Sequence, residues 1–186
     1  MSGHKPYLPK GETCKEFTLF LDRDGVLNEP IVDDYARKPD DLILVDEVAE
    51  SLRVLSHKFQ RIVLVTNQQG VGKQVMSDVD LENVHLKLYK AMKKNNVNWF
   101  DVAFYAPYLK TNVHSWRKPQ NGMLLKAKTY FSDIDWRKSI MVGDSPGDML
   151  LADSLGLTKV RIENPQFTFD NQDFSFASIR AFVQSL

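Results

Sequence analysis

Short apolar runs alternate along this chain with amphipathic stretches. The first run, Phe17-Thr18-Leu19-Phe20-Leu21, stops abruptly at Asp22-Arg23-Asp24-Gly25. Arg61-Ile62-Val63-Leu64-Val65 stops at Thr66-Asn67-Gln68-Gln69-Gly70, and Ser139-Ile140-Met141-Val142-Gly143 stops at Asp144. Thr158–Ile162 is a further run, and Phe100–Tyr105 a weaker one. Apolar runs of about four to eight residues are what a strand buried on both faces requires. Between them apolar residues recur at helical spacing: Val45, Val48, Leu52 and Leu55; less regularly Val79, Val84, Leu88 and Met92; then Met123, Leu124, Ala127 and Tyr130; then Met149, Leu150 and Leu155. Each set predicts a helix with one apolar face. Strand and helix alternate throughout. The expected class is therefore α/β, a Rossmann-like parallel sheet of about five main strands with helices on both faces. Residues 1–16 read as a polar N-terminal arm and 17–186 as a single domain. The tail from Asn164 is expected to end in a short helix from Phe176 to Val183 that docks on the core. Trp99 and Trp136 are expected core anchors.

Composition narrows the reading. The chain has 186 residues, 43% of them hydrophobic and 26% charged, ordinary values for a globular domain and inconsistent with overall disorder. Lys plus Arg and Asp plus Glu number 24 each, so there is no net charge at neutral pH. Without a bulk basic field, nucleic acid is an unlikely partner. The single cysteine, Cys14, excludes an internal disulfide and a multi-cysteine zinc site. No signal sequence is visible, and no stretch approaches the ~20 apolar residues of a membrane span. The expectation is a cytoplasmic protein with no membrane partner, a monomer or weak homodimer.

In open α/β sheets ligands bind beyond the carboxyl ends of the strands, and every strong polar cluster here sits at such an end. A carboxylate such as Asp22 can act as a nucleophile and form an aspartyl-phosphate. A second, Asp24, can protonate the leaving oxygen and then activate water. Gly25 permits a sharp turn. The same four residues equally describe a solvated turn. Thr66 and Asn67 suit a phosphoryl oxygen at a strand-to-helix turn, or a simple helix cap. Pro119 places Lys118 at a helix start, where a fixed ammonium can neutralise charge on a transferring phosphoryl group; Arg117-Lys118 also reads as a solvated basic pair. Gly70 and Gly72 flank a loop carrying Lys73. Ser145 is a candidate N-cap with Pro146 after it. Asp148 either joins the site or serves its own helix start. Asp144 with Asp22 and Asp24 supplies an all-oxygen set suited to Mg²⁺.

These four clusters resemble the motifs of the haloacid dehalogenase (HAD) superfamily of phosphohydrolases: Asp22-Arg23-Asp24-Gly25-Val26, Thr66, Lys118, and Asp144 with Asp148. The stretches Phe20–Asn28, Val65–Gln68 and Arg117–Met123 are similar to the histidinol-phosphatase and D-glycero-D-manno-heptose 1,7-bisphosphate phosphatase family, over about Phe17 to Arg161. The resemblance implies a HAD-like fold and a small phosphorylated substrate. It makes Asp22 nucleophile and Mg²⁺ ligand. Asp24 becomes acid and base, with its backbone carbonyl reaching the metal, and Asp144 the remaining protein ligand. Catalytic roles fall to Asp22, Asp24, Thr66 and Lys118. Substrate contacts fall to Tyr35, Thr66, Asn67, Gln68, Gln69, Arg117 and Lys118.

Two features refine the expectation. The family commonly binds zinc through three cysteines and a histidine ahead of Arg-Lys-Pro. Here those positions are Ala106, Tyr108, His114 and Trp116. One histidine cannot make a structural zinc site, so no zinc is expected, and Tyr105, Tyr108 and Trp116 are expected to hold the loop by packing. Second, only 52 positions separate Thr66 from Lys118, and about twenty follow Asp24 before the next helix. Neither leaves room for a cap domain, so the enzyme is expected to be capless. Substrate contacts then come from loops 28–41, 69–77 and 106–117, with Arg37, Lys38, Lys73, Lys110 and Arg117 around an open site. The leading expectation is hydrolysis of a sugar bisphosphate, with histidinol phosphate or a polynucleotide 3′-phosphate as alternatives.

Overall fold

The apolar runs become strands because each has two faces to bury. The computed structural model describes residues 6–97, 100–111 and 114–186, which leaves Trp99 outside the described residues. Strands β1 (Thr18–Leu21), β2 (Arg61–Asn67), β3 (Val102–Ala106), β4 (Ser139–Gly143), β5 (Thr158–Ile162) and β6 (Phe174–Phe176) form one sheet in the order β3-β2-β1-β4-β5-β6. Every neighbouring pair is parallel. The sheet thus has six strands rather than about five. The extra one is only Phe174-Ser175-Phe176, too short to stand out as an apolar run.

The helices are α1 (Val48–Lys58), the single turn α2 (Gln69–Gly72), α3 (Asp78–Lys94), α4 (Gly122–Tyr130), α5 (Pro146–Leu155) and α6 (Ile179–Gln184). Side chains alternate across the sheet as its pleat requires. Leu19, Leu21, Ile62, Leu64, Ile140 and Val142 enter one core, with Leu52, Leu55, Val84, Leu88 and Phe182 from α1, α3 and α6. Phe20, Val63, Val65 and Met141 enter the other, with Met123, Leu124, Ala127 and Leu151 from α4 and α5. Central strands buried on both faces explain why their runs are continuous rather than alternating.

Some positions depart from the helical reading. Val79, Tyr130 and Leu150 are 64%, 61% and 50% exposed; Leu81 and Leu151 face inward instead. Residues Gly11–Glu16 form a 3₁₀ turn that buries Cys14 completely, and the Gly11 N–H donates to the Leu186 carbonyl at 3.0 Å. Residues Gly11–Glu16 therefore fold against the domain beside Leu186. Trp136 is half-buried and packs on the second core, 6.3 Å from the Phe20 ring.

Among the described residues no cap interrupts the sheet. The segment from β1 to α1 contains one 3₁₀ turn, Pro39–Asp41, and that from β2 to β3 contains α2 and α3. None of the described helices is long and apolar enough to cross a membrane. Because Phe182 is fully buried under α6, Phe182→Ala is expected to cost about 3–5 kcal/mol. Urea unfolding measures this; a loss below ~1 kcal/mol would show that the tail helix adds little to the core.

Candidate active site

Lys118 is the centre of the site. Its ammonium lies 2.8 Å from Asp22 Oδ2 and 2.7 Å from Asp148 Oδ1, and it donates to the Val65 carbonyl at 3.0 Å. The expected helix start at Pro119 is not found: α4 begins only at Gly122. Lys118 is fixed instead by Asn67. The Asn67 amide accepts from the Lys118 N–H at 3.0 Å and donates to the Lys118 carbonyl at 3.2 Å. Asp22 sits just past β1, where its own N–H continues the ladder to Val142. Asp148 is fully buried and does both things the sequence left open. One oxygen meets Lys118; the other accepts from the Ser145 N–H and hydroxyl at 3.1 and 2.6 Å, closing a capping box on α5.

Two glycines make this crowding possible. Gly25 has φ +76°, and a Cβ there would lie 1.8 Å from Asp144 Oδ2. A Cβ on Gly143 would lie 2.3 Å from Asp148 Cβ. Only glycine fits either place.

Asp24 faces a different set of partners. Its carboxylate accepts from Arg23 at 2.8–3.1 Å, from Asn28 at 3.0 Å and from Gln68 at 3.1 Å. Burial acts to raise its pKa, but Arg23, then the hydrogen bonds from Asn28 and Gln68, hold it below the usual carboxylate value. Arg23 is 1% exposed, the bulkiest of the fully buried side chains. Behind it His85 lies 3.1 Å from Nη1. Burial, then the guanidinium, pushes the imidazole down to about 4. Arginine can only donate, so the facing Nε2 of His85 is the acceptor. Sequence reasoning assigned no role to His85 or to Arg23. Nothing in the local pattern marks either, since an arginine between two aspartates reads as solvated.

The loop residues interlock. Gln68 donates to Thr66 Oγ1 at 2.9 Å as well as to Asp24. Gln69 donates to the Tyr35 hydroxyl at 2.9 Å and accepts from the Lys110 N–H, joining all three loops expected to face substrate. Lys73 lies over the Tyr35 ring, 5.3 Å from its centroid. Arg117 is half-buried and donates to the Tyr108 carbonyl at 3.1 Å. Arg37 is taken up by Asp34 at 2.5 Å on the surface. At the four positions compared with the zinc-binding pattern, Ala106 is fully buried, Tyr108 and His114 stack with ring centroids 3.4 Å apart, and Trp116 packs edge-on against Phe104 at 5.9 Å. His114 Nδ1 accepts from the Trp116 N–H at 3.2 Å. Tyr105 donates to Asp78 at 2.8 Å. Asn164, missed because it lies beyond the last recognisable motif, donates to Asp144 Oδ2 at 2.5 Å.

Comparison with known proteins bears on this arrangement. A family model described as "Polynucleotide kinase 3 phosphatase" matches residues 18–183. The D-glycero-alpha-D-manno-heptose-1,7-bisphosphate 7-phosphatase of Mycobacterium tuberculosis is 36% identical over 137 residues, 74% of this chain and 72% of that protein. The histidine biosynthesis bifunctional protein HisB of Xylella fastidiosa is 30% identical over 152 residues, 82% of this chain and 40% of that one. Among solved structures, D,D-heptose 1,7-bisphosphate phosphatase from B. bronchiseptica, complexed with magnesium and phosphate, has a TM-score of 0.82 at 24% identity, covering 91% of this chain and 97% of that one. That last likeness establishes the HAD-like fold.

The charge balance of the site now tests whether a metal fits. Asp22, Asp144 and Asp148 each offer an oxygen, and the three lie within 4.8 Å of one another. Three carboxylates around one ammonium leave a buried excess of negative charge. Burial raises Asp22 to about 7, with Lys118 pulling down and Asp148 pushing up. Burial, then Asp22 and Asp148, raises Asp144 to about 8. For Lys118 burial acts to lower the pKa, but Asp148 and Asp22 outweigh it and keep the ammonium charged. A hard divalent cation would relieve this excess, and the all-oxygen donor set fits Mg²⁺. The carboxyl of Asp24 is turned to Arg23 and stands outside this cluster.

The shifts carry a sign. Both carboxyls titrate above their unfolded value near about 4. Their stabilising contribution is complete below that pH and is lost as pH rises through about 7 to 8. In EDTA these two groups should therefore lower the melting temperature between pH 5 and 8.5, and added Mg²⁺ should raise it more at pH 8.5 than at pH 5. Scanning fluorimetry at both pH values checks this; an equal magnesium effect would remove the cluster as the binding site.

Proposed function

The chain belongs to the polynucleotide kinase 3 phosphatase family within the HAD-type phosphatases, and we propose that it hydrolyses a heptose 1,7-bisphosphate-like sugar bisphosphate through an aspartyl-phosphate on Asp22. The observation that carries the chemistry is Asp22 at the end of the central strand, 2.8 Å from the buried Lys118 ammonium and within the acidic cluster. The 36% identical relatives carry the substrate class.

Asp22 attacks the phosphorus in line, and the bond to the sugar oxygen breaks as the new P–O bond forms. Lys118 and the Thr66 hydroxyl hold the phosphoryl oxygens. Asp22, Asp144 and the Asp24 backbone carbonyl would hold Mg²⁺, which would supply neutralisation of the charge on the phosphoryl group. Asp24 gives a proton to the leaving oxygen, then takes one from the water that attacks the aspartyl-phosphate. Free phosphate leaves and Asp22 is restored. In the resting site Asp24 is an anion held by Arg23, which suits the base step. The arriving phosphate dianion raises its proton affinity, which suits the acid step. Arg117, Lys110 and Tyr35 face the sugar portion. The loop after β3 keeps its shape without zinc: the Tyr108–His114 stack and the Trp116–Phe104 contact support it, and His114 already spends Nδ1 on Trp116. We place the protein in the cytoplasm as a monomer or weak dimer.

The name of the matching family favours a second reading, a polynucleotide 3′-phosphatase. The balance of 24 basic and 24 acidic residues argues against it.

Phosphate release with Mg²⁺ tests the first reading. Heptose 1,7-bisphosphate, histidinol phosphate and a 3′-phosphorylated oligonucleotide are offered in parallel. The bisphosphate should give the highest kcat/KM; preference for the oligonucleotide would establish the second reading. Asp22→Asn should lower kcat by on the order of 10⁴-fold or more, and wild-type turnover in that variant would overturn the mechanism. A zinc-selective chelator should leave activity unchanged, whereas EDTA should abolish it until Mg²⁺ is restored. Loss of activity with the zinc chelator would mean that the loop does bind zinc.

A further inference from the structure

Next to Lys118 and Asn67 lies a cavity of about 540 Å³. One wall comes from the loop after β3, with Lys110 and Arg117. The other comes from α5 and the segment after β5, with Pro146, Leu150 and Phe167. The second wall is built, not accidental. Arg161 donates through Nη2 to the Phe167 carbonyl at 2.9 Å and through Nη1 to the Phe169 carbonyl at 2.6 Å, with its guanidinium 4.2 Å from the Phe169 ring centroid. The Phe167 N–H donates to the Asn164 carbonyl at 3.1 Å. Asn164 in turn holds Asp144. The segment is thus fastened at one end to the acidic cluster and at the other to the sheet, and Phe167 is delivered between them. Beside it Leu150 remains 50% exposed, an apolar side chain in the first turns of α5 that the chain leaves half-open.

We propose that Phe167 is a specificity-determining residue, whose ring forms with Leu150 an apolar shelf for the ring of the substrate's leaving group while Lys110 and Arg117 meet a second anionic group on it. The inference rests on the reading of a cyclic bisphosphate substrate and adds the wall that recognises its apolar face. A pyranose has one: its axial C–H bonds form a patch that lies flat on an aromatic ring. The charge pattern selects the same occupant. Two cations share the cavity with an apolar surface, and its floor carries Lys118 and Asn67 of the phosphoryl site. A free phosphate fills only the floor. An acyclic phosphate leaves the shelf bare. Small-molecule sites pair an apolar lining with a few placed polar groups in this way, and one lost apolar contact is worth roughly 10–200-fold in kcat/KM.

The test compares wild type, Phe167→Ala and Phe167→Tyr. Two ring substrates, heptose 1,7-bisphosphate and p-nitrophenyl phosphate, are measured alongside inhibition by orthovanadate, a probe of phosphate size that does not reach the shelf. Phe167→Ala should lower kcat/KM for ring substrates by roughly 10–100-fold, with the vanadate inhibition constant unchanged within about two-fold. Phe167→Tyr should restore most of the loss. Unchanged kcat/KM in Phe167→Ala would overturn the proposal. So would weakened vanadate inhibition with no rescue by Tyr, because the segment would then matter only for the integrity of the acidic cluster. If wild type hydrolyses p-nitrophenyl phosphate but not the heptose bisphosphate, the substrate reading fails, and the same ratio on p-nitrophenyl phosphate still decides whether the shelf exists.

Discussion

Desolvating an ammonium costs several kcal/mol unless its partners offset the loss, and Lys118 finds those partners on three separate parts of the sheet. The Val65 carbonyl belongs to β2, Asp22 follows β1, and Asp148 opens the helix after β4. The ion cluster therefore exists only when the three strands are paired in register. A one-residue slip of a strand would turn its side chains to the other face, and Lys118 would lose Asp22, one of its two carboxylate partners. Conversely, the cluster gives the central strands a polar reason to align that the hydrophobic cores alone do not supply. Leu, Ile and Val fill either face almost equally well; a buried charge does not.

Around this cluster the second tier of contacts is made by neutral amides. Asn67 fixes the backbone of Lys118, Gln68 joins Thr66 to Asp24, Asn28 braces Asp24, Gln69 ties together three loops, and Asn164 holds Asp144. An amide both donates and accepts without adding charge. That matters beside a group of carboxylates already too negative for its ammonium. Carboxylates in those places would deepen the imbalance, and cations would compete with the metal for the same oxygens. Arg23 is the exception, and it is set on Asp24, on the side away from the three-carboxylate group, with a neutral His85 behind it.

What the sequence disclosed follows from how much of each contact is local. β1, β2, β4 and β5 were legible because burial on both faces demands an unbroken apolar run. Asp22, Asp24, Lys118 and Asp144 were legible because each ends such a run or lies in a short motif with it. The Asp148 capping box was readable from Ser145-Pro146-Gly147-Asp148, yet its bond to Lys118 was not, since that partner lies 30 positions away in the chain. β6 and the wall carrying Phe167 were hidden for the same reason: a polar, aromatic tail has no periodicity of its own and gains its conformation from Arg161. Lys118-Pro119 misled the reading of the helix start because proline suits turns as well as first helical turns.

A capless site has no domain to close over its substrate, so water must be excluded by fixed walls or by the substrate itself. The walls here come from loops held rigid by side-chain bonds: Gln69 between three of them, Arg161 for the fourth. This divides the molecule into two parts with different constraints. On the mechanism proposed above, the strand ends and the amides around them serve the phosphoryl group, whatever alcohol carries it, and the loops are left to meet the leaving group. One family can then include enzymes for sugars and for polynucleotides. Tyr108, His114 and Trp116 in the loop after β3 belong to the second part: Tyr108 stacks on His114 and Trp116 packs edge-on against Phe104.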